Sequence, residues 1–221
     1  MRCVIFDLDG TLADTAGDLI AAANAALGTM GHAPQLVLGA DDATAFRGGR
    51  AMLRLAATRL GLDDGEALAE AGYALLLEAY GNALDTHTTL YPGAMEAVFR
   101  LKANGIAVGI CTNKPEALAQ ALLGRLGIRG EFAALVGADT LPVRKPDPAP
   151  FFEAVARARG AVERSILIGD TATDRETARA AGRPCALVTF GPAGQTVADL
   201  APEALIDHFD ALDAVIDRLI P

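Results

Sequence analysis

Four short stretches hold the residue types that do chemistry: Asp7-Leu8-Asp9-Gly10-Thr11, Thr112-Asn113, Lys145-Pro146, and Gly169-Asp170 with Asp174 four residues on. Three of them end an apolar run, and Lys145-Pro146 lies in the loop after another. Two aspartates one residue apart repel each other unless a cation sits among them. No His or Cys accompanies the acids, so the donor set is all oxygen, which selects a hard ion and points to Mg²⁺. Magnesium keeps several waters and takes a phosphate oxygen readily, so the acids point to phosphoryl chemistry. Lys145, Thr112 and Asn113 would then bind the remaining phosphate oxygens and stabilise developing charge. Past a strand end the chain turns, so one carboxylate of Asp-x-Asp can face phosphorus while the other reaches the leaving oxygen. Carboxylates serve as nucleophiles in aspartyl-phosphate enzymes. A neighbouring acid can protonate a leaving group and then deprotonate water. Blander readings stand beside these: a solvated turn for the Asp pair, a helix cap for Asp170, loop residues for Thr112 and Asn113, and a surface lysine for Lys145.

The elements that must position these residues alternate. Strands are expected at 3–8, 107–112, 133–137, 165–169 and 186–189, with a weaker one at 204–206. Helices are expected at 94–104, 116–126, 148–159 and 173–181, three of them stopped by Gly in "NGI", "LGI" and "AAGRP". Such alternation gives an α/β, Rossmann-like parallel sheet with helices on both faces. Ligands bind such a sheet beyond the carboxyl ends of its strands, and all four stretches fall there. The rhythm breaks between 15 and 87, where Ala/Leu-rich helices are expected at 17–30, 49–60 and 65–80. Thr15 to Asp18 reads as a capping box opening the first. Residues 1–14 and 88–221 are thus expected to form the core domain and 15–87 a helical cap domain, with hinges at 14–16 and 85–91.

The chain has 221 residues, 52% of them apolar, and a net charge of −9. That charge argues against nucleic acid as a partner. A small phosphorylated metabolite can bind only where metal and local basic residues reverse the field. No apolar run reaches the roughly 18–20 residues of a membrane span, and "MRCVIF" does not resemble a signal peptide, so a cytoplasmic protein away from membranes is expected. Cys3, Cys111 and Cys185 stand isolated in apolar runs and read as small buried hydrophobes.

"DLDGT", "TN", "KP" and "GDTATD", in that order, resemble the four motifs of the haloacid-dehalogenase-like (HAD) hydrolases. The resemblance covers essentially the whole chain, and the helical insertion looks like that superfamily's C1 cap. It implies that Asp7 is the nucleophile that becomes phosphorylated and Asp9 the general acid/base. It implies Mg²⁺ held by Asp7, the Asp9 main-chain carbonyl and Asp170, with Asp174 supporting or acting through water. Thr112, Asn113 and Lys145 would hold the phosphoryl group.

Within the family, dehalogenases do not need the second acid, which is present here as Asp9. Phosphonate hydrolases use a cap lysine, and this chain has no lysine before Lys102. β-Phosphoglucomutase-like members carry His and basic residues near the start of the cap. Here 17–30 has none, and His32 comes only afterwards. What remains resembles phosphoglycolate-phosphatase-type hydrolases and implies hydrolysis of a small phosphate monoester, phosphoglycolate-like or a sugar phosphate. A phosphomutase and a non-catalytic phosphate-binding regulatory module are the alternatives. Arg47, Arg50 and Arg54 would form one stripe if helical; Arg47 and Arg50 read as either a second anion site or a solvated face. Gly48-Gly49 suits close backbone approach or a bend at a helix start. Asp14 and His87 read as hinge or structural residues, and Tyr73 and Tyr80 as cap core.

Overall fold

The computed structural model describes all 221 residues. In chain order the elements are β1 (Cys3–Phe6), β2 (Ala13–Asp14), α1 (Ala16–Thr29), α2 (Asp42–Ala45), α3 (Gly49–Arg59), α4 (Gly65–Asn82), β3 (Thr89–Leu90), α5 (Ala94–Ala103), β4 (Ala107–Cys111), α6 (Glu116–Arg125), β5 (Ala134–Val136), α7 (Ala149–Arg157), β6 (Ser165–Gly169), α8 (Ala172–Ala180), β7 (Cys185–Val188), β8 (Ala204–Ile206) and α9 (Leu212–Leu219). The chain packs as two units, Met1–Asp14 with Leu90–Pro221, and Thr15–Thr89. No helix is long and apolar enough to cross a membrane.

In the first unit, six strands form one sheet in the order β5-β4-β1-β6-β7-β8, every neighbouring pair parallel. This is the α/β, Rossmann-like architecture expected. A parallel sheet is covered on both faces, so its strands read as unbroken apolar runs rather than alternations, and CVIF, AVGIC, SILIG and CALV are buried at every position. On one face Phe151, Ala154 and Val155 of α7 pack against Cys3, Ile5 and Val136. Burying a side chain of that kind is worth about 1.5–3 kcal/mol. The three cysteines are free and buried. Burial pushes the Cys3 and Cys111 thiols up to about 12, so they behave as small hydrophobes.

Strand order reverses at β1. The chain runs from β1 to β4 and β5 on one side, then crosses to β6, β7 and β8 on the other. β1 ends at Phe6, earlier than the expected 8, because Leu8 is drawn into a tight turn. Its carbonyl accepts from the backbone N–H groups of Leu12 (3.0 Å) and Ala13 (3.1 Å) instead of pairing with a neighbouring strand. Gly105, Gly127 and Gly182 follow α5, α6 and α8 as the expected helix stops. Helix α9 was not expected, although Leu212, Val215 and Ile216, all buried, show helical spacing.

In the second unit α4 packs against both α1 and α3. Small residues make this possible: Ala22, Ala23 and Ala26 are buried on α1, and a β-carbon at Gly72 would lie 2.8 Å from Met30 Cε. Tyr80 is buried and Tyr73 half-buried. The capping box expected at Thr15–Asp18 does not form, since the Thr15 side chain makes no capping bond. Asp18 instead accepts from the N–H groups of His87 (2.9 Å) and Thr88 (2.8 Å) and from Thr88 Oγ1 (2.7 Å). Three tertiary donors win over one local one. Asp41 is clasped by Arg59, whose two terminal nitrogens each lie 2.7 Å from one of its oxygens. That bond, together with one from the Val37 N–H, holds the Asp41 carboxyl below its ordinary range.

Candidate active site

The register of the sheet sets the site. Phe6 pairs with Ile110 of β4 and Ile168 of β6, so the next residue, Asp7, emerges beside the tips of both strands. Its N–H still donates to Ile168 C=O at 2.8 Å. One step past β4 is Thr112, and one step past β6 is Asp170. This is the reversal point of an open parallel sheet, where such folds bind ligands.

Asp7, Asp170 and Asp174 are buried together, with carboxylate oxygens within 4.8 Å of one another. Lys145 Nζ lies 2.9 Å from Asp7 Oδ2 and 2.6 Å from Asp174 Oδ1. Burial opposes the ammonium charge, yet Asp174 and Asp7 hold it protonated well above the ordinary lysine range. Burial pushes the Asp7 carboxyl up to about 6, with Asp174 and Asp9 adding to it and Lys145 opposing. Asp170 is raised well above the usual carboxylate range by burial, then by Asp174 and Asp7.

Local structure explains each orientation. Asp174 stands at the third position of α8 and closes a capping box with Thr171, the N-cap. The cap of this helix is therefore Thr171 and not Asp170. Thr171 donates to Asp174 Oδ2 and Lys145 to Oδ1, so each Asp174 oxygen has a donor. Asp170 differs: Oδ1 accepts from Thr11 Oγ1 at 2.7 Å, while the buried Oδ2 has no hydrogen-bond partner. Glycines close the walls around it. Gly10 has φ of 81°, and a β-carbon there would lie 2.3 Å from Asp170 Oδ2. One on Gly169 would lie 2.4 Å from Asp174 Cγ, and one on Gly191 2.8 Å from the Gly10 carbonyl oxygen.

The loop after β4 supports the lysine. Asn113 Nδ2 donates to the Lys145 carbonyl at 3.0 Å, and Thr112 Oγ1 accepts from the Lys114 N–H at 3.2 Å. Asp9 turns its carboxylate to a residue the motif reading passed over: Lys114 Nζ lies 2.7 Å from Asp9 Oδ1, and Lys114 is buried. The signal for Lys114 was its place directly after Thr112-Asn113 in a chain with only three lysines. Thr11 stood in the first stretch without an assigned role, and Gly191 was missed.

Asp7, Asp9, Asp170 and Asp174 thus face two ammonium groups, Lys114 and Lys145. With all four acids ionised the cluster would be two positive charges short, the charge of one divalent cation, and such an ion would offset the burial that raises Asp7 and Asp170. A buried carboxylate oxygen without a donor is costly in a dry site, and Asp170 Oδ2 among two further carboxylates is the donor set a hard cation takes.

The arginines of the helical unit are placed differently from the expected stripe. Gly48, with φ of 96°, starts α3, so Arg47 lies ahead of the helix and the stripe is broken. The left-handed bend is the use found for Gly48, since nothing lies within 4 Å of its β-position. Arg47 is exposed. Arg50 lies 4.1 Å over the Tyr73 ring and 3.0 Å from Glu70. Arg54 pairs with Glu66.

Comparison with known proteins agrees with this geometry. A model of haloacid dehalogenase-like hydrolases matches residues 1–182. The chain is 40% identical to a phosphoglycolate phosphatase of Mesorhizobium japonicum, over 98% of this chain and 96% of that protein. It is 37% identical to one of Agrobacterium fabrum, over 98% and 93%. A crystal structure of a predicted phosphoglycolate phosphatase from Haemophilus somnus 129pt superposes with a TM-score of 0.81 at 26% identity, covering 97% of each chain.

Proposed function

The chain belongs to the haloacid dehalogenase-like hydrolase family and is a phosphate-monoester hydrolase, and we propose that it works as a Mg²⁺-dependent phosphatase through a phosphorylated Asp7. The substrate we assign is a small phosphate monoester, phosphoglycolate or one of similar size such as a sugar phosphate. The observation that carries this reading is the unpartnered Asp170 oxygen beside Asp7, at the reversal point of the sheet. Asp7, Asp170 and the Asp9 main-chain carbonyl would hold the ion, with Asp174 supporting it through water. When bound, the ion neutralises the carboxylates and withdraws charge from the phosphoryl oxygens.

The side chains divide the remaining work. An Asp7 oxygen attacks phosphorus, and the ester P–O bond breaks as the leaving oxygen takes a proton from Asp9. Asp9, now a carboxylate, accepts a proton from the water that attacks the phosphorylated Asp7. The Asp7–phosphorus bond breaks, releasing inorganic phosphate. Lys145, fixed by Asp7, Asp174 and the Asn113 contact to its carbonyl, offsets charge on the transferring group. Thr112 and Asn113 bound the phosphoryl site from the β4 side. In the helical unit, Arg47 is the candidate for a substrate carboxylate, because Arg50 is already engaged by Glu70 and Tyr73.

The deciding assay is phosphate release from a panel of monoesters, with phosphoglycolate and several sugar phosphates, with and without Mg²⁺. Ion-dependent release supports the reading. Release that is indifferent to chelation, or isomerised sugar phosphate without release, overturns it. For Arg47→Ala the expected result is a raised KM for phosphoglycolate and an unchanged KM for p-nitrophenyl phosphate.

A further inference from the structure

We propose that Lys114 is a positioning residue that fixes where the Asp9 side chain points, within reach of the leaving oxygen, an inference that rests on Asp9 being the acid/base of the reading above. Lys114 Nζ lies 2.7 Å from Asp9 Oδ1, and only 3% of the lysine side chain is exposed. A lysine this deeply buried is rarely accidental, because its long chain loses rotamer freedom and its ammonium loses water.

The lysine is also anchored at its base. Its N–H donates to Thr112 Oγ1 at 3.2 Å, and its carbonyl accepts from the Ala138 N–H at 3.0 Å. The main chain is thus tied to the tip of β4 on one side and to the loop after β5 on the other. The side chain reaches from this fixed base to Asp9, which sits in the turn after β1. Asp9 lies outside the trio of buried carboxylates, and Lys114 Nζ gives one of its oxygens a fixed hydrogen-bond partner. An acid must sit within hydrogen-bonding reach of the oxygen it protonates, and a misplacement of about 1 Å can cost about 100-fold. The tether to Lys114 removes that freedom without Lys114 touching the reacting atoms.

Leaving-group dependence separates this role from others. An alkyl oxygen, as in phosphoglycolate, needs a proton to depart. p-Nitrophenolate leaves without one. With Lys114→Met, kcat/KM for phosphoglycolate should fall about 100-fold while that for p-nitrophenyl phosphate falls by less than about 5-fold. Asp9→Asn should show the same selectivity. Because Lys114 acts through Asp9, the double variant should be no slower on phosphoglycolate than Asp9→Asn alone. Lys114→Arg, which keeps a charged donor, should recover part of the alkyl-ester activity and serves as the readout if the Met variant unfolds.

Equal losses on both esters, or losses that add in the double variant, would assign Lys114 to substrate binding or to structure and overturn the inference. Selective loss in Asp9→Asn without it in the Lys114 variants would overturn the inference alone. Absence of selectivity in Asp9→Asn, or no ion-dependent release by the unaltered enzyme, would remove the reading of Asp9 and the inference with it.

Discussion

The crevice at the reversal point of the sheet and the helical unit both bury acids, and they treat them in opposite ways. Asp18 and Asp41 of the helical unit are 2% and 3% exposed, and Asp170 of the crevice is 1% exposed. Asp18 is met by three donors from residues 87 and 88. Asp41 is met on both oxygens by Arg59 and on one also by the Val37 N–H. Asp170, no less buried, keeps one oxygen without a donor while two other carboxylates crowd it. Burial alone therefore does not separate these acids. What separates them is whether the protein supplies all the positive charge and all the donors itself.

The sharpest way to break this contrast is to remove one acid from each region. Asp7→Asn should lower phosphate release about 10³-fold or more. Burial already pushes Asp7 toward its neutral form, so calorimetry should find the melting temperature held or raised. Asp18→Ala should do the reverse. Losing a buried acceptor of three hydrogen bonds should cost about 2–4 kcal/mol in chemical denaturation, with Asp18→Asn intermediate. A stability loss in Asp7→Asn larger than that in Asp18→Ala would erase the distinction.

A divalent ion sharpens the same comparison. Mg²⁺ at about 100 times its dissociation constant should stabilise the protein by about 2.7 kcal/mol, seen as a thermal shift that EDTA reverses. Asp170→Asn should abolish that shift, and Asp41→Asn should leave it intact. The smallest effect is one of pH. Arg59 lowers the folded-state pKa of Asp41, so the clasp contributes stability above the ordinary carboxylate range and loses it as pH falls through the lowered value. The stability gap between the unaltered protein and Asp41→Asn should thus be widest near neutrality and narrow on acidification. A gap that widens in acid would contradict the clasp.

The sheet was legible because parallel strands bury both faces and so announce themselves as apolar runs. The rule that such sheets work at their carboxyl ends then brought Asp7, Thr112, Lys145 and Asp170 to one edge before any coordinates. Lys114 escaped because a lysine after a loop asparagine looks like any solvated residue until the chain folds it inward. Asp18 was misread for a different reason. Thr-x-x-Asp is the spacing of a capping box, and nothing nearby in sequence reveals the donors supplied by residues 87 and 88. The arginine stripe failed at Gly48, whose positive φ marks the start of the helix expected at 49–60 and leaves Arg47 ahead of it. Local patterns reported backbone geometry well, and partners distant in sequence overruled them.

The glycine walls around Asp170 have a mechanical consequence. With Gly10, Gly169 and Gly191 in such close approach, the two carboxylates they enclose have almost no room to swing. An arriving ion would meet a finished mould and would not have to recruit its ligands one by one. Coordinates of the loaded and empty protein should therefore superpose at these side chains, and little of the binding energy should be spent on ordering them.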